Sequence, residues 1–268
     1  MKEKEKLKNG VTIVLPIHEL TLITEELFKK ALKSVDNQNV KPAEVLIVHT
    51  PSVKTKIEEI LEELKLNKDY YQLIENTTEK TDFCSQINLG VNNCNEKYFS
   101  ILEYDDEYSK IYFKNVKQHI DSYPEVGVFL PIVVEIDNNN QFQAFMNESI
   151  WAMGFSEKIG YLDINTLLRF PNFSTSGAVF KKSDFIDVGK FKTNIKLSFM
   201  YELLLRIAND DIPITTIPKM GYLHKNGRPG SLFDTYRKEL SPKSANFWLG
   251  LAKSEYFFSN EREITEPV

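Results

Sequence analysis

Three carboxylates, Glu103, Asp105 and Asp106, crowd into the four residues that follow the apolar run Tyr98–Leu102. A buried strand that ends in a turn can present alternate carboxylates to one cleft. Hard divalent cations take such oxygen ligands, and Mg2+ or Mn2+ commonly bridges protein carboxylates to phosphate oxygens. Taken alone, the same cluster is equally readable as an acidic strand-end turn on the surface. Far along the chain, His224–Ser231 forms a Gly-rich basic loop. Other chemistries lack their residues. There is no G-x-S-x-G, no G-x-x-x-x-G-K-[ST], and no Cys/His cluster with zinc spacing. Asn88-Leu89-Gly90 is not a dinucleotide fingerprint, and Ser34 has no adjacent base motif to activate it.

The elements that must position those carboxylates are legible in the apolar pattern. Val11–Leu15 is continuously apolar and β-branched, as a strand buried on both faces should be. Glu25–Val35 has a helical apolar face; Val45–Val48 reads as a second strand and Val53–Leu66 as a second helix. Tyr71–Glu75 reads as a third strand, Phe83–Asn93 as a helix and Tyr98–Leu102 as a fourth strand. This alternation predicts an α/β fold with a mostly parallel central sheet flanked by helices. Ligands bind such sheets beyond the carboxyl ends of the strands, where the strand order reverses. Pro16–Glu19, His49–Ser52, Asn76–Thr81 and Glu103–Glu107 should therefore converge on one cleft, with His18 and His49 at strand-end loops. Further on, Phe129–Ile136, Phe173–Phe180 and Ile214–Ile217 read as strands, Ser198–Ala208 and Pro242–Phe258 as helices.

The 268 residues are 42% hydrophobic and 26% charged, an ordinary globular composition. A formal net charge of −5 argues against a protein that coats nucleic acid. Cys84 and Cys94 form no C-x-x-C, and a reducing compartment is the simpler reading. Met1–Asn9 mixes Lys and Glu without an apolar core, and the apolar stretch Val126–Val134 is short and broken by Pro131. A cytoplasmic protein with no membrane span is expected, in the host cytoplasm if phage-encoded.

Six segments in order resemble the family-2 glycosyltransferases of GT-A fold. VTIVLPIHE resembles their first strand and its turn, and ALKSVDNQNVKPAEVLIVHTPS their second strand segment. INLGV and YFSILEYDDEY resemble an N-x-G followed by a D-x-D motif. SGAVFKKSDFIDVGKF, FMYELLLRI and GYLHKNGRPGSL resemble the acceptor-side strand, the acceptor helix and the closing His/Arg loop. The phrasing also resembles a subgroup carried by tailed-phage genomes. The resemblance covers about residues 10–232 and implies a nucleotide-sugar half over 1–107, an acceptor-side half over 108–240, and a C-terminal amphipathic helix and tail over 241–268.

It also implies roles. Glu103, Asp105 and Asp106 would hold Mn2+ or Mg2+ and, with Tyr104, touch the ribose and diphosphate. Pro16 and His18 would line the nucleotide pocket, with Asn88 and Gly90 beneath it. His224 would join the metal or the diphosphate, and Lys225 and Arg228 would contact phosphates. The family carries acids where this chain has His49 and Thr50, one of which reads the base. The Glu-Asp that opens the acceptor helix, whose Asp is the general base in inverting members, is Phe199-Met200 here. Glu202 could serve after a shift of the helix start, or Glu148, Asp163 or Asp187 could. Otherwise the enzyme is retaining or no longer catalytic. Ser176 and Gly177 fall where members approach the acceptor, and Trp151, in an apolar aromatic patch, could form an acceptor wall as well as a core anchor.

The expectation is transfer of a sugar from a nucleoside-diphosphate sugar, with a UDP-sugar favoured, to an unidentified hydroxyl acceptor. The alternative is a catalytically degenerate binding module or a virion-associated protein. Lys181, Lys182, Lys190, Lys192 and Lys196 keep a basic groove for modified DNA open. The apolar C-terminal helix packs on the core or forms a homodimer contact.

Overall fold

The computed structural model describes residues 10–149 and 160–266. The first half is built as its apolar runs require. Strand β1 (Val11–Ile17) is buried along its whole length. It is followed by α1 (Leu22–Asp36), β2 (Glu44–His49), α2 (Lys54–Glu63), β3 (Tyr71–Glu75), α3 (Phe83–Asn93) and β4 (Tyr98–Ile101). These strands lie parallel in the order β3-β2-β1-β4. The order reverses at β1, which opens a crevice beyond the carboxyl ends of β1 and β4. Alternation along β1 serves two cores. Ile13 and Leu15 pack with Phe28, Leu32 and Ile57 on one face; Val14 packs with Ile87 and Val91 on the other. Capping sets the helix starts. Thr21 and Thr24 make a reciprocal capping box on α1, and the Asp82 carboxylate accepts the Ser85 N–H at 2.9 Å at the start of α3.

The second half continues the same sheet with mixed pairing. Strand β5 (Glu107–Tyr108) is followed by α4 (Tyr112–Ser122), β6 (Val128–Ile136), β7 (Phe142–Met146) and α5 (Ile164–Arg169). Then come β8 (Val179–Lys181), α6 (Lys182–Asp187), α7 (Phe199–Asn209), β9 (Ile214–Lys225), α8 (Leu232–Glu239) and α9 (Pro242–Glu255). The order across the described sheet is β3-β2-β1-β4-β8-β6-β9-β5, with β7 on β6. The pairs β4–β8, β6–β8, β6–β7 and β5–β9 are antiparallel, and β6–β9 is parallel.

Two expected strands change length. The expected strand over Phe173–Phe180 shrinks to the three residues of β8. Residues 173–178 run instead as a loop clamped by Asn147, whose side chain bonds Pro131 O, Ser174 O and Ser174 N. The expected strand Ile214–Ile217 extends to Lys225, because β6 supplies hydrogen-bonding partners beyond the apolar tetrad. This extension carries His224 to the site.

The C-terminal helix packs on its own chain. Trp248, Ala252 and Tyr256 are buried in the core beside α7, and the Ser198 hydroxyl donates to Trp248 O at 2.6 Å. Phe257 and Phe258, beyond it, stay exposed. No helix among the described residues is long and apolar enough to cross a membrane.

Candidate active site

The turn after β4 is fixed from both sides. Its Glu103 N–H donates to the Tyr222 hydroxyl at 3.0 Å. The two-residue β5 that closes the turn pairs with β9 at Glu107↔Leu223 and Tyr108↔Tyr222. One step further along β9, His224 reaches Asp106, with Nδ1 at 2.8 Å from Oδ2. The other Asp106 oxygen accepts the Lys225 N–H at 2.8 Å. Asp105 accepts from Arg228 Nε at 2.6 Å, and the same guanidinium donates to the Tyr104 hydroxyl at 2.8 Å and lies over the Tyr104 ring. Glu103 accepts the Ser176 hydroxyl at 2.5 Å.

Three carboxylates in a dry turn repel one another. Burial, followed by the charge of Asp106, pushes the Glu103 carboxyl up to about 7. Burial and Asp106 also raise Asp105, against the pull of Arg228. His224 is raised as well: burial disfavours its charge, but Asp106, Glu103 and Asp105 outweigh that and bring it up to about 10. A divalent cation would relieve this surplus of negative charge. Ligand atoms of Glu103, Asp106 and His224 all lie within 4.8 Å of one another, and two carboxylates with an imidazole suit Mn2+ as well as Mg2+. Glu103, Asp106 and His224 would therefore fit such an ion.

Two clefts meet at this cluster. The first, of about 380 Å³, is lined by Pro16, His18, Tyr104 and Asp105, by Thr81–Phe83 and Gln86, and by the loop from Lys225 to Ser231. Its size suits a small organic ligand. The second, of about 500 Å³, is lined by Glu135, Phe173, Ser174, Ser176, Tyr201 and residues of α9. Met200, His224, Asn226 and Phe233 line both.

Residues 12–189 match the family described as Glycosyl transferase family 2. The chain belongs to this family. No curated protein matches the sequence. Among solved structures, S. aureus TarS residues 1–349 in complex with UDP-GlcNAc is similar at TM-score 0.67 and 16% identity. That likeness covers 92% of this chain and 66% of the TarS fragment. The same fragment with UDP gives TM-score 0.63 at 15% identity, covering 92% of this chain and 72% of that one. Against the longer TarS chain, 92% of this chain overlays 43% of that one at TM-score 0.60 and 15% identity. The likeness establishes a GT-A glycosyltransferase fold, and the chain spans less than two thirds of the first of these relatives.

Within this family-2 fold, the expected residues divide. Pro16, His18, Glu103, Tyr104, Asp105, His224, Lys225 and Arg228 come together at the first cleft, with Asp106 buried directly behind them and Ser176 at the second. Burial is the main cause that lowers His18, in spite of neighbouring Glu19.

Five expected residues do other work. Asn88 does not face the nucleotide cleft; its amide donates to Phe191 O at 2.8 Å and its carbonyl accepts the Phe191 N–H at 3.1 Å. Gly90 lets α3 lie on the sheet, since a Cβ there would meet Val14 Cγ1 at 2.4 Å. His49 is buried with Nδ1 at 2.9 Å from Thr50 O and lines neither cleft, because the Thr50 hydroxyl ties the loop down onto His18 O. Gly177 has φ +70° and Tyr222 packed where a side chain would stand, so it shapes the loop without lining a cleft. Glu202 is the largest correction. It is fully buried, bonded to Arg206 Nε at 3.0 Å and Nη2 at 2.8 Å, and paired with Lys192 at 2.9 Å. It lines neither cleft, so it has no route to an acceptor proton.

The three other candidate bases are elsewhere too. Asp163 caps α5 by accepting the Thr166 N–H, and Asp187 and Glu148 are exposed and line neither cleft. Trp151 lies outside the described residues. The basic groove does not assemble. Lys181 pairs with Asp184, Lys182 bonds Cys94 O, Lys190 bonds Asn92, Lys192 pairs with Glu202 and Lys196 with Glu266, and none of them lines either cleft.

The sequence reading missed Asp82, Phe83, Gln86, Phe199 and Phe233 on the first cleft and Glu135 on the second. Asp82 carried a signal, as an N-cap three residues before Ser85 at a strand-to-helix loop. Glu135 carried none.

Proposed function

We propose that this chain transfers a sugar from a UDP-sugar to a hydroxyl acceptor, with Mn2+ or Mg2+ held by Glu103, Asp106 and His224. The observation that carries this reading is the placement of these three groups, within 4.8 Å of one another, at the junction of two clefts. The TarS structures hold UDP-GlcNAc and UDP, which supports the first cleft as the donor side and UDP as the nucleotide. Residues 1–107 then form the donor half, and 108–240 supply the acceptor side and the closing loop.

The chain's own groups have definable tasks. Tyr104 and His18 offer aromatic surface to the nucleoside. Arg228, held by Asp105 and Tyr104, presents its remaining N–H groups to the phosphates, and Lys225 adds a second cation. The metal would supply positive charge to the departing diphosphate. The apolar walls Phe83, Phe199, Met200 and Phe233 limit bulk water at the donor, so hydrolysis is slow beside transfer but measurable. The second cleft carries no Lys or Arg among its described lining residues, so a hydroxyl on an uncharged acceptor suits it better than one on a polyanion.

The test is calorimetry with UDP, GDP, CDP and TDP, each with and without Mn2+, repeated on Asp106→Asn. Metal-dependent binding of UDP that is lost in the variant is expected. Equal binding with and without Mn2+, or no binding of any nucleotide, would overturn the reading. A degenerate binding module is favoured by one observation: Met200 stands at the expected base position while Glu202 is sealed in the core. Tight UDP binding without any release of UDP from UDP-sugars would identify it.

A further inference from the structure

Replacement of the expected base by Met200 leaves the acceptor hydroxyl without a proton acceptor on α7. Glu202 is held by three N–H donors from Arg206 and Lys192, so it cannot supply one. The sheet supplies a carboxylate from the opposite wall. β6 and β9 run parallel with Val133 paired to Tyr222 and Glu135 paired to His224. Side chains two residues apart share a face, so the Val133 and Tyr222 pair of the core is followed, one pleat further out, by Glu135 and His224. Both emerge at the second cleft. Glu135 is the one carboxylate among the described residues that line this cleft. It is half-buried, and no hydrogen bond or ion pair to another described residue ties it down. Beside it stand His224, which lines both clefts, and Ser176, which donates to Glu103. An acceptor entering the second cleft therefore meets Glu135 as the carboxylate of its described walls.

We infer that Glu135 is the general base of the transfer, in place of the Asp that α7 lacks. This rests on the donor reading given above. The acceptor hydroxyl gives its proton to a Glu135 oxygen, and its freed electron pair forms the new bond to the anomeric carbon. The bond from that carbon to the diphosphate oxygen breaks, and the pair leaves on UDP. Glu135 then returns the proton to solvent. Attack from the side opposite the leaving group inverts the anomeric carbon.

Water is an acceptor small enough to probe this without knowing the natural one. The experiment measures UDP release from UDP-GlcNAc with Mn2+, together with UDP affinity by calorimetry, on the parent chain, Glu135→Gln and Glu135→Asp. Loss of a general base costs about 10²–10⁴-fold in rate. The expected result is a loss of that size in Glu135→Gln with UDP affinity unchanged, and partial recovery in Glu135→Asp, which keeps a carboxylate. Because Glu135 is half-exposed, the melting temperatures of both variants should match the parent and exclude misfolding. Parent-like UDP release by Glu135→Gln would overturn the assignment, as would a parent that binds UDP tightly but releases none from UDP-GlcNAc. A parent that binds no UDP would instead sink the donor reading itself.

Discussion

Two clusters, each of carboxylates set among basic side chains, behave in opposite ways. Around Glu202 every charge has an opposite neighbour: Arg206 and Lys192 hold its carboxylate, and Lys192 also meets Glu255, which Arg262 pairs in turn. Around Glu103, three carboxylates face one histidine and one arginine, and burial with mutual repulsion drives Glu103 and Asp105 up. The first cluster is complete and structural. The second is left electrostatically short of positive charge at the meeting of two clefts, which is where a cation and a diphosphate would be useful. Acidity in a motif does not separate these cases; the partners do.

Substitution of the two glutamates should separate them most sharply. Glu202→Ala leaves the buried Arg206 without its carboxylate and Lys192 with only the more distant Glu255, and should cost about 3–5 kcal/mol in urea denaturation. A cost below about 1 kcal/mol would mean the cluster is not the matched network described here. Glu103→Gln should do the reverse. It removes a charge that burial disfavours, so the metal-free protein at pH 8 should gain on the order of 1–3 kcal/mol while losing Mn2+-dependent UDP binding.

The pH dependence follows from the same imbalance. Glu103 is raised from 4.5 to about 7, so the folded state prefers it protonated, and stability declines as pH rises through 4.5 to 7. His224 is raised from 6.5 to about 10, so its contribution is full below 6.5 and is lost as pH rises toward 10. Both signs agree. The metal-free melting temperature should fall by several degrees between pH 5 and pH 10, with a smaller fall in Asp106→Asn and a smaller one with Mn2+ present. A flat profile would break the contrast between the clusters.

Smaller effects test residues on either side of it. Asn88→Ala removes both bonds to the Phe191 backbone and should cost about 1–2 kcal/mol of stability without altering UDP affinity. A changed affinity would return Asn88 to the donor site. Arg228→Lys keeps the charge but loses the fork that spans Asp105 and Tyr104. A rise of about tenfold or less in the UDP Kd is expected, with melting temperature near the parent's.

Much of the donor half was legible because its strands are buried on both faces. Such strands read as unbroken apolar runs, and the crossover helices between them repeat at helical spacing. α3 was found to the residue from the apolar face of Phe83–Asn93, and the Asp82 cap observed in the structure agrees with that start. The second half was harder for a physical reason. Its strands are short or bulged and pair, mostly antiparallel, with distant partners, so the local pattern does not say where they end. The loop over residues 173–178 has a β-like composition, yet Asn147 and the +70° φ of Gly177 hold it out of the sheet.

The sequence by itself determined the family, the parallel sheet as far as β4 and the acidic turn that closes it. These depend on local composition and on elements adjacent along the chain. Only the tertiary structure decided which charged residues work together. Asp106 and His224 are 118 positions apart and meet because β5 pairs with β9. Glu202, four residues from Arg206, is sealed inside α7's packing, and Glu135 reaches the second cleft because it shares a pleat with His224. Burial and cross-strand register set these roles, and neither is written in the spacing of any single motif.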